Sequence, residues 1–319
     1  MFRAGGFRSV DCQTVSRRSL LHIGGLAALH FSLADLLRVQ SQAENAAPKA
    51  RSVILLWLWG GPSHLESFDP KPAAPLEYRG PYAPIATSVP GLALCELFPL
   101  LAQRADRFAV IRSMSHEQID HGIAGTVSLT GSSSGARSLG GQLLPGQLHP
   151  THGSVVSKVD GFHPRVPRFV TIGKKLHQGR QSITGDEAGA LGPMHDPFRV
   201  HYVASSGVQI PDLELIDGVT PDGLSHRRKL LEQFDQLARR VEFSPAAQRF
   251  DRFYERAISL LTSPDTRSVF DLDQERPTLR NRYGRHHFGQ CCLLARRLVE
   301  ANVRFVQVNW SSHVESAED

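Results

Sequence analysis

Residues Ser52–Pro72 read SVILLWLWGGPSHLESFDPKP. Val53–Trp59 is a continuous apolar run, too short for an independent helix and suited to a strand of a parallel sheet buried on both faces. Gly60-Gly61-Pro62 ends it abruptly, and Ser63, His64, Glu66, Ser67 and Asp69 follow at once. In open α/β sheets ligands bind at the carboxyl ends of the strands, so ionisable groups arrive here where a site would sit. Ser63 and Glu66 also have the spacing of a helix capping box, a purely structural use of the same residues.

The same order of strand, polar cluster and helix recurs. Arg107–Met114, RFAVIRSM, reads as a second parallel strand, and His116, Asp120 and His121 follow it. Ile123–Leu129 then has the small-residue pattern of a helix ending at Gly131. Helical spacing is expected over Cys95–Ala105, a mobile Ser/Gly-rich loop over Ser132–Gly146, a short helix over Thr151–Val159 and a third strand at Arg168–Ile172. Apolar stripes after Ser225 predict a helical hairpin packed on the sheet. Phe288–Glu300 is a further helix and Val303–Val308 a final strand. The fold class is therefore α/β, a mainly parallel sheet flanked by helices.

Composition narrows the function classes. The 319 residues can bury a real core, and 41% hydrophobic with 21% charged residues is ordinary for a globular chain. The net charge is +5, but residues 1–43 hold five arginines against Asp11 and Asp35, which leaves the rest near neutral. That argues against a nucleic-acid partner. Cys12, Cys95, Cys291 and Cys292 have neither disulfide-framework nor zinc-finger spacing, and the last two fall in a helical pattern as core residues.

Ser16-Arg17-Arg18-Ser19-Leu20-Leu21 precedes a mildly apolar run, His22–Leu37, broken by glycines, His30 and Asp35. Paired arginines before such a run form a twin-arginine export signal, too short and polar for a stable transmembrane anchor. Residues 1–43 are then a leader that engages the twin-arginine translocase, and residues 44–319 are the exported domain, periplasmic or extracytoplasmic.

SRRSLL, ILLWLWGGPSHLESFDPKP, RGPYAPIATSVPG, VIRSMSH, DHG, LGPMHDPF and LLARRLVEANVRFVQVNW occur in this order along the whole chain. Together they resemble the exported bacterial family called domain of unknown function 1501, which is itself similar to the alkaline phosphatase and sulfatase superfamily. The resemblance implies an alkaline-phosphatase-like sheet and a metal-dependent hydrolase of phosphate or sulfate esters, with a small ester or polysaccharide substrate. It also implies a divalent cation of the zinc, calcium or magnesium class. Aligning the sulfatase pattern C-x-x-S-R-x-x-L-L-T-G on Leu129-Thr130-Gly131 puts His121 at the nucleophile position and Ala124 at its serine. Histidine cannot become formylglycine, and Trp59-Gly60-Gly61 stands where the superfamily has a metal-binding aspartate.

The catalytic candidates are therefore His121 and His64, and the metal candidates are Asp120, His121, His116 and His64. An aspartate capping the helix after it is the structural alternative for Asp120. The family's later W-D-x-H, G-E-F-G-R-T-P-like and G-R-D-H-W-like elements do not occur before Asp319, so a truncated domain holding about half of such a site, inactive alone, is expected. The rival expectation is a non-catalytic binding or surface-assembly protein that keeps the fold without the site. His195-Asp196 and His286-His287 are read as structural or solvated.

Overall fold

The computed structural model describes residues 50–163, 166–179, 181–210, 223, 226 and 268–310. The leader, the helical hairpin expected after Ser225 and the segment with His313 lie outside these residues.

The organising unit is a five-stranded sheet in the order β1-β9-β4-β7-β8. Its strands are β1 (Val53–Leu58), β4 (Phe169–Ile172), β7 (Phe198–Val203), β8 (Gly207–Gln209) and β9 (Phe305–Trp310). β1, β9, β4 and β7 run parallel, and only β8 returns antiparallel. Two small antiparallel ladders, β2 (Pro84–Ala86) with β3 (Ala93–Cys95) and β5 (His177–Gln178) with β6 (Gln181–Ser182), lie outside it. Among the described residues the α-helices are α1 (Leu76–Arg79), α2 (Pro99–Ala102), α3 (His121–Thr130), α4 (His152–Asp160), α5 (Pro277–Tyr283) and α6 (His287–Glu300).

β4 and β9 sit at the centre because both faces of their short apolar runs need cover. One face is apolar: Val170, Ile172, Val200, Val306 and Val308 pack against Cys291, Leu293, Leu294 and Leu298 of α6. Each fully buried leucine there contributes roughly 1.5–3 kcal/mol. The other face is mixed. Phe169 and Phe305 pack edge to face, and α4 comes so close at Gly153 that a Cβ would overlap the Phe169 ring. One residue pair further on, Gln307, Thr171 and Arg199 stand side by side in register, with the first two fully buried.

Four expectations change. β1 is not buried on both faces: it is the edge strand, paired only with β9 among the described residues, and Val53, Ile54 and Leu56 remain about half exposed. An apolar run specifies a strand but not its rank in the sheet. Arg107–Met114 is no sheet strand. Arg112 ties it instead to the loop after β1, donating to the Phe68 carbonyl at 2.7 and 3.1 Å and pairing with Asp69 at 3.2 Å.

The helix expected at Cys95–Ala105 shrinks to α2, because Cys95 belongs to β3 and Pro99 has no N–H to join an earlier turn. Ser132–Gly146 is packed rather than free at the surface: Ser132, Gly135, Ala136 and Ser138 are buried, and Leu144 donates to the Ala136 carbonyl at 2.8 Å.

Candidate functional site

Because four strands are parallel, their carboxyl ends share one side of the sheet, and the polar residues collect there. α3 is seated at that end. Its Gly125 lies against the Trp59 ring that follows β1, and a Cβ there would be 2.7 Å from Trp59 and 2.8 Å from Ile183. The Thr126 hydroxyl, buried, bonds the Gly122 carbonyl and the Thr184 carbonyl, each at 2.9 Å. A valine at position 125 has no space, so G125V should force α3 off the strand end and lower stability by about 1–3 kcal/mol. Urea unfolding reads the loss, and the His121 ring resonances should shift with the displaced helix.

The residues that begin α3 have distinct uses. Asp120 is the helix cap: its Oδ1 accepts from the Ile123 amide at 3.0 Å, and both carboxylate oxygens accept from the Leu139 amide at 3.1 and 3.2 Å. The structural alternative weighed for Asp120 is thus present in the fold, and it also anchors the loop after α3. Next to it, exposed His121 reaches the hairpin that follows β4, with Nδ1 2.8 Å from Gln178 Oε1. The amide oxygen can only accept, so Nδ1 carries a proton, and in the neutral ring the lone pair is on Nε2. Gln178 gives no sequence signal, since the contact spans 57 residues.

His64 and Asp69 lie elsewhere. With Phe68, Phe108, Arg112 and Met114 they line a cavity of about 630 Å³ beyond the Gly60-Gly61 turn. Asp120, His121 and exposed His116 do not line it. The hydrogen bond from Lys71, at 2.6 Å, holds the Asp69 carboxyl below its usual range against the opposing effect of burial, helped by the charges of Lys71, Arg112 and His64. A lowered folded value stabilises above the ordinary carboxylate pKa and is lost as pH falls through the lowered one. Both basic partners are well exposed, so D69N should cost no more than about 1 kcal/mol at pH 7. In urea titrations the gap between D69N and wild type should close as the solution is acidified from about pH 5 downward.

Among the described residues no three His, Cys, Asp or Glu side chains converge where they could hold a metal ion. His64 lines the cavity that His116, Asp120 and His121 do not, and the Ile123 and Leu139 amides already occupy Asp120. They do not fit a closed metal centre by themselves. Of the remaining histidines, His195 Nδ1 lies 3.3 Å from the Ser157 hydroxyl, and Asp196 accepts from the Ala188 amide at 2.7 Å. His286 caps α6, with Nδ1 accepting from the Gly289 amide at 3.2 Å.

The model of the family described as Protein of unknown function (DUF1501) matches residues 50–318. The chain belongs to that family. The match spans β1, the α3 end and β9, so every feature of the carboxyl edge described above lies within the DUF1501 region. No curated protein and no solved structure matches this DUF1501 chain. No helix among the described residues is long and apolar enough to cross a membrane.

Proposed function

We propose that this is an exported protein of the alkaline-phosphatase-like class, in which complete members of the family hydrolyse phosphate or sulfate esters at the carboxyl edge of the sheet. The observation that carries the reading is the His121–Gln178 pair: an exposed imidazole, oriented by an acceptor on Nδ1, with Nε2 turned over to chemistry. Nε2 serves as the base that takes a proton from the attacking water, and His64 supplies a second acid–base group beside its own cavity. Export rests on the twin-arginine pattern at Arg17-Arg18.

The superfamily's divalent cation enters as a variable of the test. Purified full-length chain is assayed on 4-nitrophenyl phosphate and 4-nitrophenyl sulfate with zinc, magnesium or calcium added, and after chelation. Turnover above the buffer rate supports the reading, and the response to each ion settles the cation. No turnover under any of these conditions overturns the hydrolase for this chain.

One observation favours the rival, a binding or surface-assembly protein without catalysis. Trp59-Gly60-Gly61 stands where the superfamily has its aspartate, and the Trp59 ring is used as a packing surface for α3. Under that reading both esters stay intact, and attachment to the cell surface survives loss of His121 and His64.

A further inference from the structure

We propose that the groove between α5 and α6 binds a small anion carrying an aromatic group, at a site separate from the His121 edge. The groove encloses about 450 Å³. It opens on the opposite face of the sheet from α3, since α6 packs on the apolar face and α3 on the Trp59 side. It also reaches the carboxyl end of the strands: Phe288 at the start of α6 contacts Trp310, the last residue of β9, with ring centroids 4.9 Å apart.

Its chemistry is of two kinds. Leu279, Tyr283 and Phe288 give apolar and aromatic walls, while Arg282, Arg296 and His286 bring only cationic or neutral groups, and no carboxylate among the described residues lines it. Arg282 has no ion-pair or hydrogen-bond partner among the described residues, an exposed guanidinium not spent on the fold. Arg296 is held by Glu300 at 2.8 Å, a surface i,i+4 pair that an incoming anion can replace at little cost. His286 gives Nδ1 to the helix cap, so its neutral form carries the proton on Nε2, a second type of donor. The first turn of the 14-residue α6 adds the positive end of a helix dipole. Cys292 at the groove wall is no nucleophile, because burial pushes its thiol up to about 11. Two arginines and a helix start recognise a sulfonate, sulfate, phosphate or carboxylate, and the aromatic walls select a planar apolar body.

The test titrates full-length chain calorimetrically with naphthalene-1-sulfonate and with its uncharged counterpart 1-naphthalenemethanol. The sulfonate should bind at least about tenfold tighter than the alcohol. The double variant R282Q/R296Q should lose about tenfold or more in sulfonate affinity and leave the alcohol unchanged. F288A should weaken both ligands. H121A should bind both as wild type does, which keeps this result independent of the ester site. Three outcomes overturn the proposal: no binding of sulfonate at millimolar concentration, equal affinity for the two ligands, or wild-type affinity in R282Q/R296Q with an unchanged circular dichroism spectrum.

Discussion

D186A should lose about 3–5 kcal/mol of stability. Asp186 is fully buried, and its Oδ2 accepts from Arg199 Nη2 at 3.1 Å, with Glu187 the only other carboxylate near that guanidinium among the described residues, at 3.9 Å. Burial pushes the Asp186 carboxyl above its usual range, while the Arg199 and Lys175 charges pull it back. The sign follows from linkage. A raised folded value favours the native state below the ordinary carboxylate pKa, and that contribution is lost as pH rises through the folded value. Burial therefore works against the charged carboxyl, and the Arg199 and Lys175 charges oppose that effect. Deleting Asp186 alone takes the nearer carboxylate from a guanidinium that is only 21% exposed and leaves it Glu187 at 3.9 Å among the described residues. Deleting both charges is a different experiment. D186L/R199M replaces the pair with apolar groups of similar size and should recover most of the loss. Urea unfolding of wild type, both single variants and the double closes the cycle. A loss under about 1 kcal/mol in D186A would show that water screens the pair despite its burial.

That pair shows where sequence reading stops. The strands at Arg168–Ile172 and Val303–Val308 and the helix at Phe288–Glu300 are legible because a short apolar run or a helical stripe is a local signal. Asp120 before Ile123, and Gly131 after Thr130, are local signals too, and α3 starts and ends where they place it. What is not local is lost. The rank of β1 in the sheet depends on which strands arrive beside it, and Arg107–Met114 has strand-like composition while one arginine fixes it to a loop. The Asp186–Arg199 pair spans 13 residues and the His121–Gln178 pair 57, and neither partner of His121 or Arg199 announces itself by type or spacing. The sequence therefore places His121 at the start of α3, but Gln178, the group bonded to its ring, comes only with the fold.

H121A should reduce kcat/KM on 4-nitrophenyl phosphate or sulfate by about 10²–10⁴-fold, the range for loss of a positioned acid–base group. The ring is exposed and its one bond among the described residues is to Gln178 at 2.8 Å, so the substitution should leave unfolding midpoints unchanged. The sharper measurement is on Gln178, a positioning residue in this scheme. Its Oε1 accepts from Nδ1 and so keeps the lone pair on Nε2. Q178A frees the ring to rotate and to exchange tautomers, and should lower kcat by about tenfold while leaving KM nearly unchanged, because orientation acts on the chemical step. Q178E keeps an acceptor in the same place and should restore most of the rate. It should also move the pH profile upward, since a carboxylate beside the imidazole favours the protonated ring. A residue that merely held the β5–β6 hairpin would show none of this: Q178A and Q178E would lose or keep activity together, with pH profiles like wild type. Full activity in H121A would remove the imidazole from the reaction, and with it the hydrolase reading of this edge.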